Sequence, residues 1–80
     1  MNLQTAITKM ERLDKVFTEF QNNNINEDDV INKCMSIAII VNSELIEDIK
    51  TRSQNKREYA YNLIESLRRY YVKEIKNIEN

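Results

Sequence analysis

The chain contains neither glycine nor proline in its 80 residues, and it also lacks histidine. Glycine provides the positive φ angles of tight turns and phosphate-binding loops, whereas proline fixes turn geometry and interrupts helices. Histidine is the side chain most often used as a metal ligand and is a common general base. We therefore expect an all-α chain with short polar joints and with no catalytic residue, metal site or cofactor.

The length predicts a single helical domain over residues 1–80. A chain of this size buries only about 60% of the surface that it exposes when unfolded, so its core is small. We therefore expect a homo-oligomer, because association adds buried surface. The net charge of −1 produces no long-range field toward nucleic acid or an anionic membrane.

Three features of the sequence indicate a cytoplasmic protein. Cys34 is the only cysteine, so it cannot form an internal disulfide, which suits a reducing compartment. The opening segment Met1–Lys9 is mostly polar and does not resemble a secretory signal. The longest apolar run, Ile37–Val41, is far shorter than the roughly 20 residues that span a bilayer, so we expect no membrane insertion.

Apolar side chains recur at three- and four-residue steps along three stretches, which is the period of an amphipathic helix. We predict a three-helix antiparallel bundle, up-down-up, with helices at about residues 3–22, 27–50 and 55–78. The apolar stripes are Leu3, Ala6, Ile7, Met10, Leu13, Val16, Phe17 and Phe20, then Val30, Cys34, Ile37, Ala38, Val41, Leu45 and Ile49, and finally Tyr59, Ala60, Leu63, Ile64, Leu67, Tyr71, Ile75 and Ile78.

Two joints separate these helices. Asn26 is a favoured N-cap, and the acidic residues Glu27–Asp29 follow it in the first turn, where carboxylates meet the positive end of the helix dipole. The second joint, Thr51–Asn55, is polar and lacks the apolar pattern. We predict a break there, with Ser53 or Asn55 as the cap of the third helix; the alternative is one continuous helix.

The predicted middle helix has a second apolar flank formed by Met35, Ile39 and Ile46, which its main stripe does not include. A central helix of a small bundle is often apolar over a broad arc, so this flank is either core or interface. As an interface it would contact a second copy or a partner helix.

The predicted helices differ in charge. Residues 23–50 hold six acids and two lysines, a net charge of −4, whereas residues 51–80 hold seven Lys or Arg and four Glu, a net charge of +3. Attraction between neighbouring antiparallel helices explains this pattern. Alternatively, the basic third helix is a contact surface for an acidic partner.

The densest basic and aromatic cluster is Arg68, Arg69, Tyr70 and Tyr71. Tyr and Arg are favoured at protein–protein hot spots, so we predict that Arg68, Arg69 and Tyr70 contact a protein partner, with Tyr71 in the core. The same residue types also stack on bases and bind phosphates. The net charge of −1 makes nucleic acid the weaker interpretation.

An enzymatic function is not expected from these residues. Cys34 lies on the apolar stripe and has no histidine to activate it, so we predict a small buried side chain and not a nucleophile. A Glu-x-x-His motif, which di-iron helical bundles require, does not occur.

The chain resembles the small cytoplasmic lysis-inhibition proteins of T-even-like phages in its opening residues Met1–Thr8, its length and its predicted helices rich in Asn, Ile and Lys. The resemblance implies an antiholin, a regulator that binds the cytoplasmic part of a phage holin in the host cytoplasm and delays lysis. It implies no catalytic or ligand-binding residues. The alternatives from the residues themselves are a small nucleic-acid-binding or transcription-modulating protein that uses the basic third helix, and a structural assembly subunit.

Overall fold

The computed structural model describes residues 2–38 and 43–79, which form four α-helices and no β-strand. In chain order these helices are α1 (Leu3–Gln21), α2 (Glu27–Ile37), α3 (Ser43–Arg52) and α4 (Lys56–Glu79). The predicted all-α class is confirmed. The predicted number of helices is wrong, because the single helix expected at 27–50 is divided into α2 and α3.

The division of the middle helix follows a change in backbone preference along the chain. Helix α2 ends at Ile37, and Ala38 leaves helical geometry with φ −111° and ψ 59°. The next residues in the sequence are Ile39, Ile40 and Val41, whose branched side chains lose rotamer freedom in a helix. Apolar periodicity continues through this segment, and for that reason it does not predict the end of α2.

Asparagine side chains cap three of the helices. The Asn2 side chain accepts a 2.7 Å hydrogen bond from the Thr5 amide at the start of α1. At α2, Asn26 accepts from the Asp29 amide at 2.9 Å, and the Asp29 carboxylate accepts from the Asn26 amide at 3.1 Å, which completes a capping box. The cap predicted at Asn26 is confirmed.

The joint between α3 and α4 is also confirmed. Helix α3 ends at Arg52 and α4 begins at Lys56. The Asn55 side chain accepts a 2.8 Å hydrogen bond from the Glu58 amide, so Asn55 acts as the N-cap of α4. Ser53 instead donates its hydroxyl to the Ile49 carbonyl at 2.7 Å and closes the end of α3.

Helices α2 and α4 run in the same direction. Their first turns are joined by an ion pair between Lys56 and Asp28 at 2.8 Å. Farther along the bundle, the Lys9 ammonium donates to the Ile37 carbonyl at the end of α2 and lies 6.0 Å from the ring centroid of Tyr71 on α4. Helix α3, which lies between α2 and α4 in the chain, therefore runs back along the bundle. The antiparallel pairing predicted for the second and third helices is thus wrong for α2.

Helix α1 lies antiparallel to its neighbours, as the pattern predicted. Near the end of α1, Phe17 contacts Tyr61 in the first half of α4, whereas Asp14 contacts Arg68 about two turns farther along α4. The largest fully buried side chains of the resulting core are Tyr71, Phe20, Leu13, Ile49, Leu63, Leu67, Val30 and Cys34. Three residues of the predicted stripes, Phe17, Leu45 and Ile78, are instead more than a third exposed.

Candidate functional site

The main candidate site is a groove between α1 and α4, with a volume of about 470 Å³. We call it the aromatic groove. Its lining residues are Asp14, Phe17, Tyr61, Ile64, Glu65 and Arg68. Because α1 and α4 pack directly against each other, two rigid helices hold these side chains in place.

The apolar part of the aromatic groove is formed by two rings and an aliphatic side chain. Phe17 meets Tyr61 edge to face, with ring centroids 5.9 Å apart, and remains 39% exposed. Tyr61 in turn packs against the buried Phe20 at 4.8 Å, which fixes the position of its ring. Ile64 is almost completely buried and forms the floor. The groove therefore presents a fixed aromatic edge to solvent.

Charged side chains form the rim of the aromatic groove. Arg68 on α4 donates to the Asp14 carboxylate on α1 at 2.8 Å, and both side chains are half exposed. One turn earlier on α4, Glu65 accepts a hydrogen bond from Arg69. Exposed ion pairs of this kind contribute only about 0–1 kcal/mol to stability. Their main consequence is that each of the two arginines already has a carboxylate partner.

Arg57 extends the aromatic surface toward the start of α2. Its guanidinium lies 5.0 Å from the Phe20 ring and 5.4 Å from the Tyr61 ring, within cation–π range. It also pairs with Glu27 at 3.5 Å. Arg57 was not singled out from the sequence, since its stacking depends on α1 and α4 being adjacent.

The predicted partner-binding cluster on α4 is only partly brought into this groove. Arg68 lines it, and Arg69 lies beside it through its contact with Glu65. Tyr70 is 43% exposed and packs edge to face on Tyr71, with centroids 5.2 Å apart. Tyr71 itself is buried in the core, as predicted.

The predicted flank of Met35, Ile39 and Ile46 does not lie on one helix. Met35 is 37% exposed on α2, whereas Ile46 on α3 is half-buried against the core. Ile39 lies outside the described residues. The prediction placed the three side chains together because it assumed one continuous helix, but α2 ends at Ile37.

Phe17 is a groove residue that the apolar stripe predicts to be in the core but that the structure leaves exposed. The sequence does contain an indication that Phe17 is exposed, because the predicted stripe includes the adjacent residues Val16 and Phe17. Adjacent helical residues point about 100° apart, so one of the two falls at the edge of the stripe. The structure buries Val16 and leaves Phe17 at that edge.

Cys34 is fully buried, as predicted, and burial raises the pKa of its thiol to about 12. The thiolate is the reactive form of cysteine, so burial suppresses its reactivity near neutral pH. Among residues 2–38 and 43–79, no group of three or more His, Cys, Asp or Glu side chains is arranged to hold a metal ion.

None of the described helices combines the length and the apolar character needed to cross a membrane. Comparisons with protein-family models, curated proteins and solved structures found no match to this chain. The resemblance to phage antiholins therefore stays a prediction, and a function has to be proposed from the site itself.

Proposed function

We propose that this chain is a regulatory protein without enzymatic activity that binds an amphipathic helix of another protein in the aromatic groove. The observation that supports this proposal is the exposed edge of Phe17, held against Tyr61 above the floor of Ile64. A groove between two packed helices with an apolar floor and a polar rim suits the helix-in-groove mode of recognition.

The residue types around the aromatic groove favour a protein partner. Aromatic residues and arginine are enriched among the few side chains that dominate binding energy. An apolar anchor of the partner helix would pack on Phe17 and Tyr61, while its polar flanks meet Arg68 and Glu65 on the rim. The rim carries both signs of charge, so the partner helix needs polar residues of both signs beside its anchor.

The resemblance to T-even-like antiholins suggests the partner, which is the cytoplasmic part of a phage holin. Binding there would keep holin subunits from assembling and would delay lysis. Nucleic acid is less favoured, because the Arg68 and Arg69 guanidinium groups are each engaged by a carboxylate. A phosphate would have to displace Asp14 or Glu65 to reach them.

The test is a titration of the ¹⁵N-labelled protein with a synthetic peptide of a T-even holin cytoplasmic segment. We expect saturable shifts of the amides of Phe17, Tyr61 and Arg68. Phe17→Asp should weaken binding about tenfold or more, because the aromatic anchor surface is lost. The matched control is Ile78→Asp, since Ile78 is 38% exposed but lies at the far end of α4.

Circular dichroism would verify that both variants remain helical. Equal loss of affinity in the two variants would contradict the aromatic groove as the binding site. Salt-sensitive DNA binding that is lost in Arg68→Glu/Arg69→Glu would instead support the nucleic-acid alternative. A change in sedimenting mass of the free protein caused by Phe17→Asp would identify a second copy as the occupant.

A further inference from the structure

We propose that a second groove, between α1 and α2, binds an acidic segment of a partner protein. We call it the basic groove; its volume is about 350 Å³. Arg12 and Lys15 on α1 and Lys33 on α2 line it, together with Ser36. Two helices thus bring three cations to one concavity, although the sequence separates Lys33 from the other two.

The three cations of the basic groove differ in their partners from five of the other basic side chains. In the part of the chain that the structure describes, five ion pairs engage Arg52, Lys56, Arg57, Arg68 and Arg69. Arg12, Lys15 and Lys33 take part in none of these pairs, and Glu19 is the one acid among the described residues that line the same groove. Like charges that converge across a helix interface repel each other, and an acidic ligand would relieve that repulsion.

The shape and lining of the basic groove favour carboxylates over nucleic acid. Its floor includes Val16 and Ile37, both buried and apolar, which can pack against the aliphatic part of a glutamate side chain. None of its described lining residues is aromatic, so bases would find no stacking platform. Glu19 would also repel a continuous polyphosphate. Arginine, by contrast, forms paired hydrogen bonds with carboxylates.

The basic groove is independent of the aromatic groove. Residues advance about 100° per position around a helix, so Arg12 and Lys15 lie on the flank of α1 opposite to Asp14 and Phe17. A ligand on one flank leaves the other open. The sequence predicts that an acidic partner would contact the basic third helix. In the structure, however, the arginines of α4 form ion pairs within the chain, whereas the cations of the basic groove on α1 and α2 form none with the described residues.

The probe for this proposal is a blocked hexaglutamate peptide, titrated at low salt into the ¹⁵N-labelled protein. We expect saturable shifts of the amides of Arg12, Lys15, Lys33 and Ser36, which weaken as salt is added. Lys15→Glu/Lys33→Glu should reduce the affinity about tenfold or more. The neutral variant Lys15→Gln/Lys33→Gln should reduce it in the same direction, and it keeps the test valid if the charge reversal unfolds the protein.

The matched control is Lys73→Glu/Lys76→Glu, which makes the same change in net charge at exposed lysines of α4. Equal weakening in the control would overturn the proposal, because net charge and not the groove would then explain binding. Absence of saturable shifts would overturn it as well. The proposal would also be overturned if an oligothymidylate bound more tightly than the peptide and shifted the same amides. A dimer of the free protein that is abolished by Lys15→Gln/Lys33→Gln would overturn it too, because the occupant would then be a second copy.

Discussion

Asparagine provides the conformations that glycine would supply in most helical proteins. Asn23 adopts a positive φ of 62° just after α1, in the left-handed region where a C-terminal glycine is usual. Asparagine tolerates this region because its short side chain bonds locally to the backbone. With Asn2, Asn26 and Asn55 as N-caps, four asparagines define helix boundaries. At Asn26 and Asn55 the residue type predicted the helix boundary, whereas the apolar stripe of the middle helix did not predict the end of α2.

Also at the scale of single residues, the buried thiol of Cys34 makes the free energy of unfolding fall as the pH rises into the alkaline range. Burial raises its pKa from an ordinary value of 9.0 to about 12, so the unfolded chain releases this proton at a lower pH than the folded protein. The stabilising contribution is complete below pH 9.0 and is lost between pH 9.0 and about 12. The free energy of unfolding should fall there by at most about 1.4 kcal/mol per pH unit for this group.

Urea unfolding across this pH range measures that slope, and Cys34→Ala provides the comparison. Burial also raises the pKa of Tyr59 and Tyr71, so some alkaline loss persists in the variant. We expect Cys34→Ala to be less stable at neutral pH, because it leaves a cavity, but to lose less stability as pH rises. Parallel curves for the two proteins would show that the Cys34 thiol does not contribute.

At the scale of elements, α1 and α4 were predictable and the middle helix was not. The bounds of α1 and α4 fall within two residues of the expected ones, because each has one uninterrupted apolar stripe and an asparagine cap. The middle stripe continues from α2 into α3, since Ile49 must also face the core. Apolar spacing identifies which side chains are buried, but it does not report whether the backbone between them stays helical.

Helix α3 should be the least stable of the four. Its ten residues are fewer than the roughly 12–15 that an isolated helix needs, and among the described helices it packs on α4 alone. Ile49 is its single fully buried side chain. We expect its amides to exchange hydrogen faster than those of α1 and α4, because the helix can open without disrupting the rest of the core.

Native-state hydrogen exchange of Ile49→Ala tests this expectation. The substitution should cost about 2–5 kcal/mol at a fully buried site and accelerate exchange in α3 more than in α1. Leu45→Ala is the matched control, since Leu45 lies on the same helix with more than a third of its surface exposed. If α3 exchanges as slowly as α4 in the unchanged protein, the two helices open only together.

At the scale of the whole molecule, the candidate sites depend on contacts between helices distant in sequence. Arg68 was predicted from its residue type, but its partner Asp14 lies 54 positions away. The basic groove similarly requires Lys33 to lie beside Arg12 and Lys15. Such surfaces follow from the pairing of helices, and the parallel run of α2 and α4 was not predictable from three stripes alone.

The ion pair between Asp14 and Arg68 joins α1 to α4 and also forms the rim of the aromatic groove, and a charge swap separates these two roles. Reversing one partner, as in Asp14→Arg, should lower the free energy of unfolding by about 0.5–1 kcal/mol, because like charges then face each other. The double variant Asp14→Arg/Arg68→Glu should recover most of that loss, as measured by urea unfolding. The double variant nevertheless inverts the charges of the rim. A partner helix whose charges complement the original rim should therefore bind more weakly, even though the fold is restored. Full recovery of holin-peptide affinity in the double variant would mean that the aromatic edge alone, without the rim, determines recognition.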